Sequence, residues 1–125
     1  MTDTACEIVG CSGLKSTKEN TSLSDVIWQN LKELNAPQMT KVQQSAGSTD
    51  FGDVTQVLPG VLVYLAFTPH GTSAHSQGFL DAGKSEAAHD AIVFGGKALA
   101  GACVDLIGNP ELLKEICVEF QQRKS

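Results

Sequence analysis

The stretch Gly60-Val61-Leu62-Val63-Tyr64-Leu65-Ala66-Phe67 restricts the fold more than any other part of the chain. It is apolar almost without interruption and rich in β-branched and aromatic residues, the pattern of a strand covered on both faces in a parallel or mixed sheet. Pro59-Gly60 bounds it in front and Thr68-Pro69-His70-Gly71 behind. The segments around it read as helices. Leu23, Val26, Ile27, Leu31 and Leu34 share one face of a helix from Ser22 to Leu34, opened by a capping-box variant of Ser22 and Asp25 and closed by Asn35-Ala36-Pro37. A longer helix is expected from Ser85 to Ile107, with Ala88, Ile92, Leu99, Cys103 and Leu106 on its apolar side. Gly95, Gly96 and Gly101 each cost about 1 kcal/mol relative to alanine in such a helix, which close packing against a sheet would justify. Gly108-Asn109-Pro110-Glu111 ends it and starts a last helix, Glu111 to Gln122, amphipathic through Leu112, Leu113, Ile116 and Phe120. The change from helical period to a continuous apolar run and back predicts an α/β fold, a small mixed sheet with packed helices.

Other segments add less. Thr4 to Val9 is a short β-compatible run that needs a partner strand, and Gln38 to Ala46 reads equally as a helical turn or an edge strand. Trp28 falls in the core or at its border. With 125 residues, 42% of them hydrophobic, the chain can form one compact domain over 1–125. A net charge of -5 without a basic stripe, and few aromatics to stack bases, argue against a nucleic-acid surface. No stretch reads as long and apolar enough to span a bilayer, and Met1 to Ala5 lacks the features of an export signal. The four cysteines, Cys6, Cys11, Cys103 and Cys117, have no Cys-x-x-Cys spacing and read as small apolar core residues, so a reduced, cytoplasmic setting is expected.

Candidate chemistry gathers on both sides of the apolar run. The turn Gly47-Ser48-Thr49-Asp50 offers backbone N–H groups suited to an anion, and the loop after the run carries His70 and His75. His89 lies early in the long helix, where a histidine is less often a ligand. Asp50 and Asp53 could act as a carboxylate pair, although Asp beside Ser, Thr and Gly more often caps a turn. Ser48, Ser73 and Ser76 have no base except the nearby histidines. There is no His-x-Asp, no adjacent acidic pair, no nucleophile elbow, no phosphate-binding loop and no dinucleotide fingerprint. A complete metal site from this chain alone is not expected.

The order of these pieces matters: Gly47 to Thr55, the apolar run, Gly71-Thr72-Ser73-Ala74-His75-Ser76, Gly83-Lys84-Ser85, and Ala88-His89 before an alanine-rich helix. It resembles the C-terminal end of the M-twenty zinc metallopeptidases and amidohydrolases, which include aminoacylase, hippuricase and carboxypeptidase G. The branch it is most similar to is the aminobenzoyl-glutamate utilization protein B type; Asn20 and Ala36-Pro37 fit that branch too. The segment between Ala36-Pro37 and Gly47 is shorter here than in that branch. The resemblance implies a partial catalytic domain of a zinc-peptidase-like fold, with residues 1–10 as the remnant of a lid-domain strand. It implies zinc as cofactor, held in the family by a His-x-Asp segment, an acidic pair, a further acidic residue and a C-terminal histidine. Only the last has a counterpart here, His75, and no residue matches the general base. Gly47, Ser48, Thr49 and Asp50 would bind the substrate carboxylate or the scissile amide.

An incomplete ligand set leaves three alternatives. The chain is a fragment of a zinc amidohydrolase acting on an N-acyl or aminobenzoyl-glutamate type amide, inactive alone. Or it is half of a split, heteromeric hydrolase whose N-terminal half or partner subunit carries the other ligands. Or it is a non-enzymatic binding domain. Apolar surface left by a missing half would also favour homo-oligomers.

Overall fold

The computed structural model describes residues 3–10, 13–36, 39 and 48–123. Five helices follow one another: α1 (Thr21–Glu33), α2 (Phe51–Thr55), α3 (Gln77–Ala82), α4 (Glu86–Gly108) and α5 (Pro110–Gln122). No strand occurs among the described residues, so the expected α/β fold with its small mixed sheet is replaced by a helical one. The reason lies in Val61–Phe67: no backbone hydrogen bond joins this segment to a described residue. A strand is completed only by a neighbour's ladder, and none is alongside among the described residues. The segment lies instead on the helices, with Val61 and Leu65 half-buried against their core. The early run Thr4 to Val9 likewise forms no strand, and Ile8 and Val9 are exposed. Nearly all of Gln38 to Ala46 lies outside the described residues.

The core is where α1, α4 and α5 meet. Val26, Ile27 and Leu31 of α1 close on Ala98 and Ala102 of α4, and Ile116 and Phe120 of α5 are buried as well. Half-buried Leu23, Trp28 and Leu34 border this face as their spacing implies. The alanines let the α1 and α4 backbones approach, and Gly101 takes the closest contact, its Cα facing the Asn30 side chain. Asn30 is buried yet satisfied, since its Nδ2 donates to the Val26 carbonyl (3.0 Å) and to Asp105 Oδ2 (2.6 Å). The glycines of α4 are thus not explained by a sheet. Gly101 meets α1, Gly95 meets the Leu65 side chain, and a Cβ at Gly96 would meet no neighbouring element within 4 Å among the described residues. Ile92, Leu99 and Cys103, read as inward, are exposed; Ala88, Ala98 and Ala102 face the core. Cys6, Cys103 and Cys117 are exposed thiols and not core residues. By length and composition α4 is also apolar enough to cross a membrane (23 residues, mean hydropathy 1.6), contrary to the reading that no stretch is.

Caps set the helix ends. Four N–H groups open α1, and all are met: Thr21 and Ser22 donate to the Glu119 carboxylate (2.7 and 2.8 Å), Leu23 to Asn20 Oδ1 (2.9 Å) and Ser24 to the Asn20 carbonyl. The N-cap is therefore Asn20, not Ser22, and the capping carboxylate comes from α5 and not from Asp25. Burial opposes ionisation of Glu119, but the backbone N–H groups of Ser22 and Thr21 prevail and hold its carboxyl down to about 2. At the other end Asn35 takes a left-handed φ of 58°, while Asn35 and Ala36 donate to the Lys32 and Leu31 carbonyls, the double bond of a Schellman motif. Asn109 closes α4 and caps α5, accepting from the Leu112 N–H (3.2 Å) ahead of Pro110.

Candidate functional site

The turn before the apolar run is built by short-range bonds. Thr49 Oγ1 accepts from the Phe51 N–H (3.2 Å), and the N–H groups of Gly52 and Asp53 donate to the carbonyls of Thr49 (3.3 Å) and Asp50 (2.9 Å). These bonds start α2, a helix absent from the loop reading. Asp50 occupies its N-cap position without a side-chain capping bond, and its Oδ1 is 3.5 Å from the Thr49 hydroxyl. The N–H groups of Ser48, Thr49 and Asp50 have no partner among the described residues. Gly47 lies outside the described residues. Behind the turn α2 is fastened to the segment before α1. Thr55 is fully buried, its Oγ1 donating to the Gly52 carbonyl (2.8 Å) and accepting from the Lys18 N–H (2.9 Å), and Gln56 Nε2 donates to the Ser16 carbonyl (2.7 Å).

The second loop is a turn followed by a capped helix. Thr72 closes the turn with its N–H (3.1 Å) and hydroxyl (2.8 Å) on the Pro69 carbonyl, and Gly71 supplies a φ of 88° that a side chain would resist. Ser76 caps α3 by accepting from the Phe79 N–H (3.2 Å), and its hydroxyl donates to the Ser73 carbonyl (2.7 Å). Phe79 meets Phe67 edge to face with ring centroids 5.0 Å apart, so α3 is anchored to the end of the apolar run. His75 directly precedes the cap, exposed, with a left-handed φ of 60°. Only Asn35 shares that conformation among the described non-glycine residues. A left-handed histidine costs backbone energy, and its imidazole has no hydrogen-bond partner among the described residues.

The two halves of the site are not joined. No hydrogen bond links the Ser48–Asp50 turn to His75, and His70 and His89 are exposed on separate elements. Among the described residues no group of three or more His, Cys, Asp or Glu side chains could hold a metal ion. The donors present therefore do not fit a complete zinc site. Asn20 and Thr55, to which sequence reading assigns no structural role, and Asn30 and Glu119, which it does not single out, are all spent on caps and clamps of the fold.

No protein-family model matches the chain, and no solved structure matches it. Two curated proteins do. The Xaa-Arg dipeptidase of Mus musculus is 38% identical over 78 residues, covering 61% of this chain and 17% of the dipeptidase. The Xaa-Arg dipeptidase of Homo sapiens is 34% identical over 82 residues, covering 66% of this chain and 19% of its own length. The chain spans less than a fifth of the length of these relatives. The similarity relates it to peptidase-type hydrolases.

Proposed function

We propose that this chain is a non-autonomous part of a zinc-dependent amide hydrolase, contributing one metal ligand, His75, to a site whose other ligands lie on another stretch of polypeptide. The observation that carries the reading is the partial similarity to the two dipeptidases, together with the absence, among the described residues, of any group of three or more side chains that could hold a metal ion. The left-handed backbone of His75 adds support, because strain of that kind persists where surrounding structure and function require it. The substrate class is a small amide with a free carboxylate, as in a dipeptide, an N-acyl amino acid or aminobenzoyl-glutamate. Its carboxylate would be received by the turn Gly47-Ser48-Thr49-Asp50, in which the N–H groups of Ser48, Thr49 and Asp50 have no partner among the described residues.

The test places this chain where the matching segment lies in the mouse dipeptidase and measures zinc content and dipeptide hydrolysis. The unaltered chimera should bind zinc and turn over, and the isolated chain should do neither. His75→Asn should abolish both, asparagine being chosen because it tolerates the left-handed backbone. Thr49→Val should raise KM and leave the metal in place. Full zinc occupancy and normal turnover in the His75→Asn chimera would refute the assignment, as would zinc-dependent hydrolysis by the isolated chain.

A further inference from the structure

From Ile92 to Ile107 one side of α4 is apolar and open to solvent. Ile92, Val93, Leu99, Val104 and Ile107 are 70%, 57%, 60%, 69% and 83% exposed. With Gly96, Ala100 and Cys103 between them they occupy about 140° of the helix circumference at 100° per residue. Ala98 and Ala102, on the opposite side, are buried against α1. A helix apolar on both sides belongs between two layers, and among the described residues only one is present. The five large side chains expose roughly 600 Å2, at the limit of what a monomer leaves as one patch. The small residues between them bring the strip toward the ~800 Å2 that each partner buries in a stable dimer.

We infer that this face is a dimer interface, occupied by α4 of a second copy running antiparallel about a two-fold axis. The order of residues along the strip is what such packing needs. Its midpoint falls between Leu99 and Ala100, small residues Gly96 and Cys103 lie symmetrically about it, and Ile92 and Ile107 stand at the two ends. Under the two-fold, Ile92 meets Ile107 of the other copy, Gly96 meets Cys103, and Leu99 meets Ala100. Gly96, where an added Cβ would meet no neighbouring element within 4 Å among the described residues, is the point of close backbone approach. A bilayer is the weaker occupant, because the side of α4 packed on α1 cannot be surrounded by lipid and Lys97 and Asp90 flank the strip.

Sedimentation equilibrium on the full chain should show a dimer. Leu99→Glu should yield a monomer with unchanged far-ultraviolet circular dichroism, since Leu99 is 60% exposed, whereas Val118→Glu on exposed α5 should leave the dimer intact. In a background with Cys6, Cys11, Cys103 and Cys117 all replaced by serine, Ala100→Cys beside the axis should be trapped as a covalent dimer by mild oxidant. A wild-type monomer at every concentration overturns the inference, as does a Leu99→Glu protein that still dimerises. A monomer that instead co-sediments with phosphatidylcholine vesicles, and loses this with Leu99→Glu, overturns it in favour of lipid.

Discussion

Glu119 reaches across from α5 to cap the start of α1, and replacing it with glutamine tests the joint between these two helices. The carboxylate accepts the Thr21 and Ser22 N–H groups at 2.7 and 2.8 Å, and Arg123 Nη2 lies 2.7 Å from Oε1. The side chain is 18% exposed. Its pKa is lowered from 4.5 to about 2. Taken at face value that gap is worth roughly 3 kcal/mol, and partial exposure to solvent reduces it to about 1–2 kcal/mol. Because the native pKa lies below the unfolded one, the contribution is complete above about pH 4.5 and is lost as pH falls toward about 2. Glu119→Gln keeps the shape and removes the charge. It should lower unfolding free energy by about 1–2 kcal/mol at neutral pH and by much less near pH 2, where about half of the wild-type carboxyl is itself protonated. Urea unfolding followed by circular dichroism across that range gives both curves. Arg123→Met, which leaves the two N–H bonds, should cost less than about 1 kcal/mol. Equal stability of wild type and Glu119→Gln at neutral pH, or a deficit that does not shrink in acid, would refute the capping role.

Two further substitutions probe the packing. Gly101→Ala drives a methyl into Asn30 and should destabilise by about 1–3 kcal/mol, a loss that shrinks in an Asn30→Ala background if the clash is its cause; denaturant midpoints of the four proteins decide it. Thr55→Val removes the hydroxyl that bridges Lys18 and Gly52 and should cost about 1–3 kcal/mol, with faster proteolysis in the segment before α1.

The helices were legible in the sequence because their signals are local. The spacing of Val26, Ile27 and Leu31, the Asn109-Pro110 start and the Asn35 end each act within a few residues, and the structure puts α1, α4 and α5 within two residues of the expected bounds. The short helices α2 and α3 were missed because five or six residues carry no periodicity, although Ser76 with the Phe79 N–H was a readable cap. At the site, the sequence located His75 and the Ser48–Asp50 turn in loops. It did not foresee the left-handed backbone of His75, which no composition encodes.

What the sequence determined by itself is where the chain turns into helix and where it stops, since each helical bond closes over four residues. Tertiary structure decided the rest. The run Val61–Phe67 has the composition of a strand, but a strand's hydrogen bonds belong to its neighbour, and among the described residues there is none. The inward side of α4 could not be read from its pattern, because both sides are apolar. Asn30 seated on Gly101 and bonded to Asp105 selects the alanine side and leaves Ile92, Leu99 and Ile107 facing out.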